Sequence, residues 1–205
     1  MGQAVRRPGQ VLAGIGFLIA ATACFAVLDT TVKVVGAVVS VLLAVWFRYM
    51  FQAVAVTAVM LPVRGRALLR TDHPRFQALR GVLLLSVSLI SFIALQFMPV
   101  GEFTAIIMVT PLAVTLLAAL FLKERVSVWR WLLVTGGFAG ALVVVRPGGQ
   151  LFGWASLLPL TMVFMYAWFQ ILTARMARTE DPMTMHFYTG WVGALVASLA
   201  LPFVW

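Results

Sequence analysis

Seven apolar stretches, at about 11–36, 41–61, 79–98, 102–121, 129–145, 154–173 and 184–204, fill most of this 205-residue chain. A helix rises ~1.5 Å per residue, so crossing a ~30 Å hydrocarbon core takes roughly 20 apolar residues. The expected fold class is therefore an all-α membrane protein, a multi-span bundle of about seven transmembrane helices. With 63% hydrophobic and 10% charged residues, almost nothing is left from which to build a soluble domain, and a water-soluble enzyme is excluded.

The net charge of +9 would suggest nucleic acid in a soluble chain. Here the cations sort by side instead. Arg6, Arg7, Arg64, Arg66, Arg70, Arg75, Arg80, Lys123, Arg125, Arg130, Arg175 and Arg178 fall between or just inside spans on one side; the opposite loops carry Arg146. Lys33 and Arg48 lie within spans. Positive loops stay in the cytoplasm, so the amino terminus is expected inside, and the basic surface is a topology signal with no nucleic-acid partner implied. Arg6 and Arg7 before an apolar run imitate a secretory leader, and Ala21-Thr22-Ala23-Cys24 imitates a lipoprotein cleavage site, but the apolar run continues unbroken past Cys24. As the sole cysteine, Cys24 permits no intramolecular disulfide and is expected to be a small buried packing residue.

Short loops make consecutive helices antiparallel neighbours. The first hairpin turns within Gly36–Ser40, the third connection is little more than Pro99-Val100-Gly101, and the fifth is Arg146-Pro147-Gly148-Gly149-Gln150. Only Val63–Arg75 is long and polar enough to lie on the membrane surface. A weak internal repeat places Asp29 over Tyr166 and Lys33 over Gln170 at a shift of 137, and Tyr49 over Tyr188 at 139. An odd number of spans, five, separates the copies, so the second copy runs in the opposite direction.

The run Glu124-Arg125-Val126-Ser127-Val128-Trp129-Arg130-Trp131, then Gly136-Gly137-Phe138-Ala139-Gly140 through Arg146-Pro147-Gly148, resembles the end of the five-helix EamA unit of the drug/metabolite transporter superfamily. Thr110-Pro111-Leu112 and Leu120-Phe121-Leu122-Lys123 resemble its fourth helix, while Asp29-Thr30-Thr31-Val32-Lys33 and Trp46-Phe47-Arg48-Tyr49 are similar to the branch of S-adenosylmethionine and riboflavin carriers. The resemblance implies one complete unit at 11–148 and the first two helices of an inverted second unit at 153–205, that is, a carrier truncated at its carboxyl end. It also implies a secondary transporter that moves a small-molecule metabolite by alternating access, in the bacterial inner (cytoplasmic) membrane. The rival reading is a noncatalytic half-sized module that assembles with a partner, a homodimer being one form of it.

A carrier needs polar groups within its spans. Asp29 and Lys33 share one helical face, and Arg48 and Gln52 repeat that spacing on the second span. Asp29 and Arg48 lie at similar depth and are expected to pair, either fixing the hairpin or lining the pathway, and the cation left over favours an anionic group on the substrate. Thr110 lies on the first unit's facing side, and Pro111 frees the carbonyl four residues earlier, giving a static kink or a hinge. Tyr166 and Gln170 form the candidate opposing wall, and Tyr188 is placed to stack on a planar ligand. Gly136 and Gly140 are expected to admit a neighbouring helix. Clustered metal ligands, phosphate-binding glycine loops and hydrolase signatures are absent from the sequence, so neither an enzyme, a metal nor a bound cofactor is expected.

Overall fold

The computed structural model describes residues 8–122, 126–145 and 154–203. Eight α-helices run in the order α1 (Pro8–Val35), α2 (Val41–Arg64), α3 (Pro74–Phe97), α4 (Val100–Ile107), α5 (Thr110–Phe121), α6 (Val128–Val145), α7 (Leu157–Met176) and α8 (Pro182–Ala200). All seven expected spans appear as helix, the fourth in two pieces, and no strand occurs among the described residues. Among the described residues, five segments are long and apolar enough to cross a membrane: Gly14–Val35, Val41–Leu69, Pro74–Phe97, Val100–Phe121 and Trp154–Met176. This is an integral membrane protein built of helices, the element that pairs most backbone polar groups internally, as a bilayer requires.

Local sequence sets the ends of the helices. Ser40 caps α2 by accepting the Leu43 N–H at 3.3 Å, and Gly65 stops it at φ 55°, a left-handed conformation that suits a residue without Cβ. Pro74 and Pro182 occupy the first turns of α3 and α8, where a missing N–H costs nothing. Pro111 leaves the Ile107 carbonyl without its helical donor, and the fourth span duly breaks after Ile107 and restarts at Thr110. Between α2 and α3 a short 3-10 helix, Gly65–Leu69, tucks Leu68 fully inside while Leu69 stays exposed.

The core lies where α2, α3, α7 and α8 meet, around Tyr49, Leu95, Phe103 and Ala194. α8 packs along α2 and α3, and α7 packs along α3 and α5; α1 rests against α3 and α4 at the edge. Close approach of α8 depends on glycine: a Cβ on Gly193 would strike the Tyr49 ring, and one on Gly190 would lie 3.1 Å from the Ala53 backbone. Among the described residues the expected helix contact at Gly136 and Gly140 does not occur, since none lies within 4 Å of a Cβ at either. Cys24 is exposed, contrary to the expected burial, because the peripheral α1 turns that face away from the bundle. Arg6, Arg7, Lys123 to Arg125 and Arg146 to Gly149 lie outside the described residues.

Candidate functional site

The polar residues of the spans divide into groups that do not share one space. At the Gly36–Ser40 turn, Lys33 Nζ donates to the Met98 carbonyl at the end of α3, 2.8 Å away, so its charge tethers two turns together. Asp29 lies within electrostatic reach of Arg48 but the two make no ion pair, and the Arg48 guanidinium sits 6.0 Å from the centre of the Tyr49 ring. The expected direct pairing of Asp29 and Arg48 is thus not found; attraction acts across a gap.

Along the seam of α2 and α8, Gln52 meets His186 Nδ1 at 3.4 Å, the Trp191 indole donates to Thr57 Oγ1 at 3.0 Å and the Trp46 indole donates to Ser198 Oγ at 2.7 Å. Tyr49 and Ser88 exchange a buried hydroxyl hydrogen bond of 3.0 Å across α2 and α3. Tyr188 instead turns to the far end of the bundle, where its hydroxyl donates to the Leu69 carbonyl at 2.9 Å. Lys33 and Tyr188 therefore mark opposite ends, not two sides of one cavity.

The third group surrounds α7. Tyr166 and Phe169 are stacked nearly parallel, centroids 5.9 Å apart and planes at 11°, with the half-buried Gln170 next in line. On one flank, Arg80 of α3 places its guanidinium carbon 5.2 Å from the centre of Phe169. Its Nη1 donates to Gln77 Oε1 at 3.2 Å and its Nη2 to Thr189 Oγ1 at 2.9 Å and the Met185 carbonyl at 3.3 Å. Thr110 opens α5, which also packs on α7. Arg80 Nε and Thr110 Oγ1 are the two buried side-chain polar atoms without a hydrogen-bond partner among the described residues. Buried donors are rarely left so, because each costs about 1–3 kcal/mol when unsatisfied.

Arg80 was counted above with the loop cations. Because α3 starts at Pro74, ahead of its hydropathic onset near 79, Arg80 stands well inside the helix and is only 4% exposed. Its neighbourhood carries a signal: Gln77 precedes it by three, on the same face, and Gly81 follows it, where a Cβ would meet Val192 of α8 at 2.6 Å. Glu180, buried between α7 and α8, also escaped notice. Its carboxylate accepts from Thr71 Oγ1 at 2.7 Å and from the backbone N–H groups of Asp72 and His73 at 2.9 and 3.1 Å, while the adjacent Asp181 forms an ion pair with Arg64. No cluster of three or more metal-binding side chains occurs among the described residues.

Residues 12–146 match the model of the EamA-like transporter family. The chain belongs to that family. EamA relatives include a riboflavin transporter of Brucella anthropi, 29% identical over 174 residues, covering 83% of this chain and 61% of the relative. A riboflavin transporter of Rhizobium johnstonii is 31% identical over 136 residues, 66% of this chain and 44% of the relative. An S-adenosylmethionine uptake transporter of Rickettsia bellii is 27% identical over 195 residues, 94% of this chain and 66% of the relative. This EamA chain thus spans between 44% and 66% of the length of these three proteins. A protein of known crystal structure shares its fold, with a TM-score of 0.61 at 23% identity over 87% of this chain and 62% of the other.

Proposed function

We propose that this EamA protein forms part of a secondary carrier of the bacterial cytoplasmic membrane, amino terminus inside, which moves a small metabolite by alternating access. In this reading 11–148 is one unit and 153–205 opens an inverted second unit. The substrate passes beside α7, between Thr110, Tyr166, Gln170 and the face of α3 that carries Arg80. The charged hairpin of Asp29, Lys33 and Arg48 with Gln52 lines the approach from one end and Tyr188 from the other, while the break before Pro111 supplies the hinge.

One observation carries this: the two orphaned buried polar atoms, Arg80 Nε and Thr110 Oγ1, belong to helices that flank the same helix, α7. Polar groups inside a membrane bundle that lack internal partners are expected where a ligand or water supplies them. The relatives are named for riboflavin and S-adenosylmethionine, both with planar heteroaromatic rings, and the Tyr166–Phe169 pair presents aromatic faces in the same seam. The test is uptake of labelled riboflavin and of labelled S-adenosylmethionine by proteoliposomes holding the protein with whatever sequence follows it in its reading frame. At least one should accumulate, and Tyr166→Leu should cut the rate at least tenfold. Accumulation of neither, or uptake indifferent to Tyr166, overturns the proposal.

A further inference from the structure

Six acidic residues occur in the chain, five of them among the described residues, and none of those five pairs with Arg80. Glu180 is held by the Thr71–His73 loop and Asp181 by Arg64; Asp29 and Glu102 lie toward the opposite end of the bundle, and Asp72 is exposed. Arg80 is accordingly a guanidinium, 4% exposed, whose hydrogen-bond partners are a carboxamide, a hydroxyl and a carbonyl, all neutral. That is an expensive arrangement. A cation within a span costs about 2.5–3.5 kcal/mol at the bilayer centre on insertion scales, and buried charges are ordinarily kept only when a counter-charge meets them.

The fork is also unevenly used. Nη1 and Nη2 have partners and Nε has none, so the edge formed by Nε and Nη2 offers one free donor beside one that reaches the Met185 carbonyl at a long 3.3 Å. Two parallel N–H groups on one edge match the two oxygens of a carboxylate or phosphate. Gln77 and Thr189 hold the plane of the fork, and the Phe169 ring, 5.2 Å from the guanidinium carbon, covers one face without neutralising it.

We infer that Arg80 is the counter-charge for an anionic group, a carboxylate or a phosphate, on the metabolite that enters the seam between α3, α7 and α8. This rests on the carrier reading above and specifies its substrate class: of the two compounds named there, S-adenosylmethionine carries a carboxylate and riboflavin carries neither group, so the former is favoured. Binding then involves the Nε–Nη2 edge taking the anion in place of the Met185 carbonyl, which keeps its second donor, Thr189 Oγ1 at 2.7 Å. The missing charge is supplied by the substrate, so the loaded seam is more stable than the empty one.

Thermal unfolding of the purified protein in a neutral detergent tests this directly. Sodium phosphate and sodium acetate, each compared with sodium chloride at equal ionic strength, should raise the midpoint progressively with concentration, since a ligand bound only by the folded state stabilises it by RT ln(1 + c/Kd) at free concentration c. Arg80→Met should fold with an equal or higher midpoint in chloride, because an uncompensated charge has been exchanged for an apolar chain of similar length, and should lose the anion response. Arg80→Lys should keep the charge and a weakened response. No anion response in the wild type overturns the inference. So does a response unchanged in Arg80→Met. If Arg80→Met fails to fold, an anion response in Arg80→Lys equal to that of the wild type overturns the fork geometry, and one that is weakened supports it. Nanodiscs of phosphatidylglycerol and of phosphatidylcholine separate a lipid headgroup from a solute: stabilisation by the anionic lipid alone, with none from phosphate or acetate, overturns assignment to a metabolite. An anion response without uptake in proteoliposomes leaves the site standing and removes the carrier; uptake without an anion response does the reverse.

Discussion

The Glu180 carboxylate accepts the backbone N–H of His73 at 3.1 Å, so the loop between α7 and α8 caps the start of α3. The same oxygen, Oε1, receives the Asp72 N–H and the Thr71 hydroxyl, and the carboxylate is only 7% exposed. Removing it strands the Asp72 N–H and the Thr71 hydroxyl and leaves His73 N–H only its longer bond to Thr71 Oγ1 at 3.3 Å, at the amino end of a helix, where negative charge is also favoured by the helix dipole. Glu180→Ala should cost about 2–4 kcal/mol on the basis of unsatisfied buried donors, and Glu180→Gln, which keeps one accepting oxygen, less than half as much. Equilibrium unfolding in mixed micelles measures both. Equal stability of Glu180→Ala and the wild type would show that the loop is not held in this way.

Glycines that touch a neighbour and glycines that do not should behave in opposite ways. Gly193→Ala drives a methyl into the Tyr49 ring and Gly190→Ala presses on the Ala53 backbone, so each should lose about 1–3 kcal/mol through overpacking of α8 on α2. Gly137→Ala meets nothing within 4 Å and should be neutral or gain up to about 1 kcal/mol from helix propensity. The three midpoints, taken in one detergent, check the ordering; a loss at Gly137 as large as that at Gly193 would contradict the packing.

Asp29 and Arg48 attract without touching, which sets their coupling. Breaking a direct buried pair costs about 3–5 kcal/mol, whereas charges acting across a gap couple by roughly 1 kcal/mol or less. A double-mutant cycle with Asp29→Asn and Arg48→Gln should therefore give a small interaction energy. A value above about 2 kcal/mol would indicate the direct pair expected from their equal depth.

Span positions were legible in the sequence because bilayer thickness leaves hydropathy little freedom, and Pro111 marked a kink or hinge in the fourth span, where the helix breaks outright into two. Membership of the EamA family was carried by the stretch from Glu124 to Gly148. What stayed hidden depended on which faces meet. Arg80 looked like one more cation flanking a span, and only the approach of α8 through Gly81 encloses it. Gly136 and Gly140 had the spacing of a helix contact, while contacts were made by Gly190 and Gly193, whose respective neighbours Ala53 and Tyr49 are remote in sequence. Helical spacing put Lys33 and Tyr188 on polar faces but could not show that backbone carbonyls at opposite ends of the bundle take up their donors.

The central claim is a polar pathway beside α7 that opens alternately to the two sides. Thr110→Cys in a Cys24→Ala background tests it most directly, because Thr110 is 6% exposed and its hydroxyl has no partner among the described residues, while Cys24 is the only native thiol. Control cysteines at Arg66 and Gly149 fix the sides: a membrane-impermeant thiol reagent should label Gly149→Cys in right-side-out vesicles and Arg66→Cys in inverted ones. Thr110→Cys should be labelled in both preparations, at slower rates than either control. Labelling from one side alone, or from neither, would contradict the account.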